Sequence, residues 1–145
     1  MTAKRTAEAT WESDLLHGGG HVQGMTGVLP RMGISWSART EAPAGKTSPE
    51  ELLAAAEASC FAMALSGTLS KLQKPPTRIH VTATATFDKV GDAFSVTLMD
   101  LDVVGKVPGM DAAQFQEAAK STSQSCPISR AIKGNVELRL TARLE

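Results

Sequence analysis

The chain has 145 residues, which is enough for one domain that buries a core without a metal or disulfide staple. Fifteen Lys and Arg balance fifteen Asp and Glu, so the chain lacks the basic excess that nucleic-acid-binding proteins usually carry. The start, MTAKRTAEATWESD, has no apolar signal segment, and no apolar run approaches the roughly 20 residues of a membrane span. We therefore expect a single cytoplasmic domain over residues 1–145, without nucleic-acid or membrane partners, whose two thiols start out reduced.

The first 40 residues predict three strands. Polar and apolar side chains alternate over residues 6–11, 21–25 and 32–39, and glycine- and proline-containing turns separate the three runs. A period of two with turn residues between the runs is typical of antiparallel strands that expose one face to solvent.

A long helix is predicted over residues 49–72. The segment PEELLAAAEASCFAMALSGTLSKL has few and scattered polar positions, which indicates a helix buried on most of its circumference. Ser48, Pro49 and Glu51 fit a capping box with proline at the first helical position. We expect Glu57, within this helix, to be a solvated or interfacial charge.

The second half of the chain predicts a hairpin, two further helices and a last strand. Residues 79–90 and 93–107 alternate on either side of a Gly-Asp turn, residues 111–122 and 126–132 suit helices, and residues 136–142 alternate again. The predicted order is therefore βββ, α, ββ, α, α, β. Strands in blocks, rather than in strict alternation with helices, indicate an α+β fold with a mostly antiparallel sheet.

The two cysteines occupy different local environments. Cys60 lies in the middle of the long helix among apolar neighbours, where most cysteines are small buried hydrophobic residues. Cys126 precedes Pro127 at a helix start that Ser125 is able to cap, so its thiol would lie at the positive end of a helix dipole. Considered on local chemistry alone, Cys126 is the more thiolate-like of the two.

Five segments carry a resemblance to a known family: ATWESDLLHGGGHV, GISWSART, TSPEELLAAAEASCFAMAL, VPGMDAAQF and SCPISRAIKGNVEL. With them the chain resembles, essentially end to end, the OsmC/Ohr family of thiol peroxidases and particularly its OsmC branch (osmotically inducible protein C). The resemblance implies an OsmC-like fold with a long buried central helix, assembled as an intertwined homodimer with two sites at the interface. It implies no metal, haem or flavin cofactor.

The resemblance also assigns roles to site residues. The cysteine of the long helix is peroxidatic in this family, which implies that role for Cys60. The cysteine of the CP segment is the resolving one, which implies that role for Cys126. An arginine that ends an early strand and the first glutamate of the PEEL segment complete the site, and these correspond to Arg39 and Glu50.

A cation beside Cys60 is also reasonable on physical grounds. A thiol buried among apolar side chains has a raised pKa, so Cys60 needs a cation to act as a nucleophile at neutral pH. The fork of Arg39 suits sulfur and a peroxide oxygen together, and Glu50 would hold it in place, so we expect Arg39 to act through charge rather than folding. Without the resemblance, Arg39 would more often be an ordinary exposed arginine, and Glu50 would more often be a first-turn residue that interacts with the helix dipole. The Ohr branch has its arginine near the glycine turn, where residues 14–22 have none; this favours Arg39, with Arg31 as the alternative.

The predicted activity is the reduction of organic hydroperoxides, and more weakly of hydrogen peroxide, to alcohol and water. Cys60 would become a sulfenic acid and condense with Cys126 to a disulfide. An external thiol, in this family often a protein-bound dihydrolipoyl group, would then restore both thiols. The alternative is a redox-sensing or ligand-binding module of the same fold that does not turn over.

Overall fold

The computed structural model describes residues 1–145, which form two units, Met1–Leu52 and Leu53–Glu145. The first unit contains an antiparallel sheet with the strand order β1-β2-β3. Its elements in chain order are β1 (Ala7–Glu12), β2 (Gly19–Gly24), β3 (Met32–Ile34) and α1 (Trp36–Thr40). The first two predicted strands are confirmed, the third is confirmed only in its first part, and the single domain over residues 1–145 stays a prediction.

The third strand is shorter than the alternation predicted. It ends at Ile34, and Arg39 lies in the helix α1 instead of at a strand end, so the prediction of a strand over residues 32–39 was wrong. Ser35 is the cause, because its Oγ accepts a hydrogen bond from the Ala38 N–H at 3.1 Å and caps α1. A local bond of this kind competes with the ladder of a sheet, and a period-two pattern does not reveal it.

The predicted long helix forms as α2 (Pro49–Lys71). Ser48 Oγ accepts the N–H of Glu51 at 3.1 Å, which confirms one half of the predicted capping box. The Glu51 carboxylate accepts a hydrogen bond from Thr47 Oγ1 at 2.5 Å and contributes to the helix start in that way.

Burial along α2 is confined to one stripe, which is narrower than the sequence predicted. Buried side chains repeat every four residues along the helix: Glu57, Phe61, Leu65 and Leu69. Exposed positions repeat at the same interval on another side: Ala55, Ser59, Met63 and Gly67. Between Glu51 and Lys71, which are exposed at the same interval near the two ends of the helix, this side is composed of small or apolar residues.

By length and composition alone, α2 is apolar enough to cross a membrane, with a mean hydropathy of 1.5 over an 18-residue stretch. The expectation that no apolar run approaches the length of a membrane span was therefore wrong. The core helix of a globular protein meets the same criterion. Phe61 and Leu65 of α2 belong to the buried core of the second unit, which accounts for the apolar side chains of the buried stripe.

The second unit combines α2 with a three-stranded sheet and two further helices. Its remaining elements are β4 (Arg78–Val90), β5 (Ala93–Lys106), α3 (Ala112–Ser125), α4 (Pro127–Ile132) and β6 (Glu137–Leu144). The strand order is β4-β5-β6, in which β4 and β5 form the predicted antiparallel hairpin and β6 lies parallel to β5. The mostly antiparallel α+β fold is therefore confirmed, with a single parallel pair.

Helix ends in this unit follow local side-chain chemistry. Asp111 and Gln114 form a capping box at the start of α3, which confirms the predicted helix there. Cys126 itself is the N-cap of α4, and Pro127 occupies the first helical position. Ser125 does not cap α4, because its hydroxyl donates to the Thr122 carbonyl of α3 at 3.3 Å.

Candidate active site

Two thiols lie in contact within the second unit. Cys126 Sγ donates to Cys60 Sγ at 3.2 Å, and both cysteines are free. Cys60 is half-buried on α2, whereas Cys126 is fully buried at the start of α4. A disulfide has an S–S length of about 2.05 Å, so the sulfurs need to approach each other by only about 1 Å. The pair is therefore arranged for reversible disulfide formation.

The surroundings of Cys60 act on its thiol in opposite directions. Burial raises the pKa of Cys60, and the neighbouring Cys126 and Glu57 raise this pKa further. A backbone hydrogen bond at Ile128, in the first turn of α4, lowers it. The backbone at the start of α4 therefore favours the thiolate form of Cys60. The local sequence had instead predicted that this helix start would favour the thiolate form of Cys126.

Arg39 and Glu50 form an ion pair in the first unit. Arg39 Nε donates to Glu50 Oε1 at 3.0 Å and Oε2 at 3.1 Å, and Nη2 donates to Oε1 at 2.7 Å. Glu50 is 6% exposed, and the Arg39 side chain is 30% exposed. The guanidinium also lies 6.0 Å from the centroid of the Trp36 ring. The guanidinium is thus oriented by a buried carboxylate and an aromatic ring.

Arg31 has a different partner. Its Nη2 lies 3.0 Å from Nδ1 of His21 on the exposed surface of the first unit. The predicted site residues therefore occur as two pairs, Arg39 with Glu50 in Met1–Leu52 and Cys60 with Cys126 in Leu53–Glu145.

Sequence reasoning missed Glu57. The expectation of a solvated or interfacial charge was wrong, because Glu57 is fully buried and its Oε1 accepts a hydrogen bond from Ser129 Oγ. Its Oε2 has no hydrogen-bond partner. Burial raises the pKa of Glu57, and the Ser129 hydrogen bond offsets part of that rise. The four-residue spacing to Phe61 and Leu65 was the available signal, because it places Glu57 on the same stripe of α2.

Glu57→Gln is expected to abolish a pH-dependent loss of stability. Because burial raises the pKa of Glu57 in the folded chain, the unfolded chain releases this proton at a lower pH, near the ordinary pKa of 4.5. The free energy of unfolding is therefore unaffected by this group below that pH and falls as the pH rises toward the folded pKa. Glutamine keeps the oxygen that accepts from Ser129 and does not ionise, so the free energy of unfolding of the variant should not fall with pH in this way and should exceed that of wild type near pH 8.

Urea unfolding of both proteins near pH 5 and near pH 8 measures this difference. Glu117→Gln, which removes a carboxylate at an exposed position of α3, serves as a control for nonspecific effects of net charge. The same pH dependence in wild type and Glu57→Gln would contradict a buried neutral carboxyl group.

Two free thiols in contact between a core helix and the start of a short helix are an arrangement that suits thiol–disulfide chemistry. The family model described as OsmC-like protein matches residues 42–141, and the chain belongs to this family. It is 38% identical over 138 residues to the peroxiredoxin OsmC of Escherichia coli, covering 95% of this chain and 96% of the relative. It is 28% identical to the organic hydroperoxide resistance protein OhrB of Bacillus subtilis, covering 83% of this chain and 87% of the relative.

Solved structures share the fold. An organic hydroperoxide resistance protein OsmC from Legionella pneumophila matches with a TM-score of 0.74 and 22% identity, covering 98% of this chain and 99% of that one. An organic hydroperoxide resistance protein from Elizabethkingia anophelis matches with a TM-score of 0.74 and 24% identity over 100% of both chains. The resemblance inferred from the sequence is therefore confirmed for family and fold.

Proposed function

We propose that this chain is a cysteine-based peroxidase that reduces organic hydroperoxides, and more weakly hydrogen peroxide, with Cys60 as the peroxidatic thiol. Membership of a family that includes the peroxiredoxin OsmC of Escherichia coli supports the general activity. The 3.2 Å contact pairs the two thiols. Their exposure carries the assignment of roles, because Cys60 is half-buried and reachable by a peroxide whereas Cys126 is fully buried. The contact provides the peroxidatic sulfur with a second thiol already in reach.

The reaction proceeds in two steps on the protein. The Cys60 thiolate attacks the O–O bond of the hydroperoxide, the bond breaks, and the leaving alkoxide takes up a proton and departs as the alcohol. Cys60 is left as a sulfenic acid, which condenses with the Cys126 thiol to give a disulfide and water. An external dithiol, for which a protein-bound dihydrolipoyl group is our candidate, then restores both thiols. This cycle uses no cofactor, and we place it in the cytoplasm, where thiols are kept reduced.

Arg39 and Glu50 are the proposed auxiliary residues of the first step. A guanidinium stays charged and presents several donors in a fixed fork, which suits the thiolate and a peroxide oxygen together. The three hydrogen bonds from Arg39 to Glu50 support this role, because they fix the orientation of the fork. The apolar surroundings of Cys60 favour hydroperoxides with fatty or aromatic tails.

Multiple turnover is the expected result that distinguishes an enzyme from a sensor. Reduced protein is mixed with cumene hydroperoxide and an excess of dihydrolipoamide, and the alcohol formed per protein chain is counted by chromatography. A peroxidase should produce many equivalents of alcohol. A single equivalent, followed by no further reaction while reductant remains, would contradict the proposal and indicate a redox sensor.

We further propose that the protein is an intertwined homodimer in which α2 packs against a second copy. The exposed stripe of α2 is apolar or small-sided from Ala55 to Gly67, and Met63 within it is 70% exposed. Small residues such as Ala55 and Gly67 allow another helix to approach closely, and burial of this stripe would remove apolar surface from water. The resemblance to the OsmC/Ohr family implies the same assembly.

Met63→Asp is expected to convert the dimer to monomer. A carboxylate on this face would have to be buried without a partner at the proposed interface, which costs several kcal/mol per ion. Sedimentation equilibrium at low micromolar concentration measures the mass. Gln116→Asp, which makes the same change of charge at an exposed position of α3, should remain dimeric. A wild-type protein that is monomeric and fully active would contradict the proposed assembly.

A further inference from the structure

Glu57 and Ser129 connect the same two helices that carry the thiols. Glu57 lies three residues before Cys60 on α2, and Ser129 lies three residues after Cys126 on α4. Three residues of helix correspond to about 4.5 Å along the axis, which is close to one turn. The hydrogen bond from Ser129 Oγ to Glu57 Oε1 and the sulfur–sulfur contact of 3.2 Å are therefore neighbouring links between α2 and α4.

α4 depends on contacts beyond itself to keep its position. It has six residues, and no side-chain hydrogen bond caps its start at Cys126. A helix of that length is not stable alone, because nucleation is unfavourable and too few bonds follow it. Ser129 is the buried residue of α4, and its hydroxyl is committed to Glu57.

The carboxyl group of Glu57 is costly to bury, and it takes no part in either step of the proposed peroxidase reaction. Its Oε1 is satisfied only by Ser129, and its Oε2 has no partner. Burying a polar group with incomplete hydrogen bonding costs free energy, so the link to α4 is a compensating interaction. None of the ion pairs in the chain involves Glu57, and its carboxyl group acts electrostatically on the Cys60 thiol.

We propose, on the basis of the proposed function, that Glu57 is a positioning residue for disulfide formation: through Ser129 it holds α4 so that Cys126 stays beside Cys60. In that step the S–S bond forms, the S–O bond of the Cys60 sulfenic acid breaks, and the Cys126 proton leaves with the hydroxyl group as water. The preceding oxidation of Cys60 does not involve the Cys126 sulfur, so loss of the link slows disulfide formation more than oxidation.

The test measures the two steps separately in Ser129→Ala and Glu57→Leu. Reduced protein receives one equivalent of cumene hydroperoxide and is quenched at timed intervals, with and without dimedone. Mass spectrometry then counts sulfenic acid and disulfide. Each variant should form the disulfide at least tenfold more slowly, while oxidation of Cys60 changes at most a few-fold. The double variant should be no slower than the slower single variant, because both remove the same link.

Two further variants separate the link from general effects on packing. Glu57→Gln retains an oxygen that accepts from Ser129 and should form the disulfide at the wild-type rate. Ser123→Ala removes a half-buried hydroxyl of α3 that donates to the Lys120 carbonyl and accepts from Gln124, and it should also behave as wild type.

Disulfide formation at the wild-type rate in Ser129→Ala would overturn the inference, even if Glu57→Leu failed to fold. Additive slowing in a folded double variant would also overturn it, since the two residues would then act independently. Neither result affects the proposed function. Failure of wild-type Cys60 to form a sulfenic acid would instead overturn the proposed function itself.

Discussion

Cys60→Ser should abolish hydroperoxide consumption, whereas Cys126→Ser should react once and stop with a sulfenic acid on Cys60. A serine hydroxyl is not ionised at neutral pH and is a poor nucleophile, so the first variant loses about a thousandfold or more in rate. The second variant keeps the attacking sulfur, and the Ile128 backbone hydrogen bond to it does not involve the Cys126 side chain. It lacks only the sulfur that lies 3.2 Å away in wild type.

Dimedone trapping followed by peptide mapping locates the sulfenic acid. Ser125→Ala is the matched control, because Ser125 adjoins Cys126 and its hydroxyl serves α3. This control should turn over like wild type. A sulfenic acid found on Cys126 in the Cys60→Ser variant would reverse the two roles, in agreement with the helix-dipole argument from the local sequence.

Most of the fold was predictable because its signals are local. The Gly91-Asp92 turn between two alternating runs defines the hairpin, and the spacing of Asp111 and Gln114 defines the start of α3. The strand predicted through Arg39 failed for a reason that is also local. The side chain of Ser35 caps a short helix, and an alternating sequence is compatible with either structure over so few residues.

The site was less predictable, because it depends on contacts between distant segments. Cys60 and Cys126 are separated by 66 positions, and neither periodicity nor spacing indicates that their sulfurs meet. The resemblance to a family supplied their pairing. Glu57 was missed because a glutamate in a helix is usually solvated, and although its spacing from Phe61 indicated a buried position, its partner Ser129 lies 72 positions away in the chain.

The orientation of β6 was also beyond the reach of a local pattern. Alternation over residues 136–142 predicts a strand, but it does not say which neighbour the strand pairs with or in which direction. The connection through α3 and α4 brings the chain back to the starting side of β5, so β6 pairs with β5 in parallel.

Arg39→Ala is expected to slow oxidation of Cys60 by about a hundredfold and also to destabilise the fold. The rate loss follows from removing preorganised donors from the proposed site, where one such group is worth about that factor. The stability loss follows from Glu50, which is 6% exposed and would keep a carboxylate without its three hydrogen bonds. We expect about 1–3 kcal/mol, toward the lower end because Arg39 is partly solvated. The expectation from the sequence that Arg39 contributes little to folding is revised accordingly.

A double variant separates the two effects. Arg39→Ala with Glu50→Gln removes the unpaired charge, so it should recover part of the stability while the oxidation of Cys60 stays slow. Arg39→Lys should also be slow, because an ammonium group cannot reproduce the contacts of Nε and Nη2 with one carboxylate.

Arg31→Ala is the matched control and should oxidise like wild type, since Arg31 contacts His21 at the surface. Stopped-flow kinetics measures the rate of Cys60 oxidation, and alkylation across pH measures the pKa of its thiol, in wild type and in these four variants. A loss of rate in Arg31→Ala, with Arg39→Ala unaffected, would show that Arg31 is the arginine of the site.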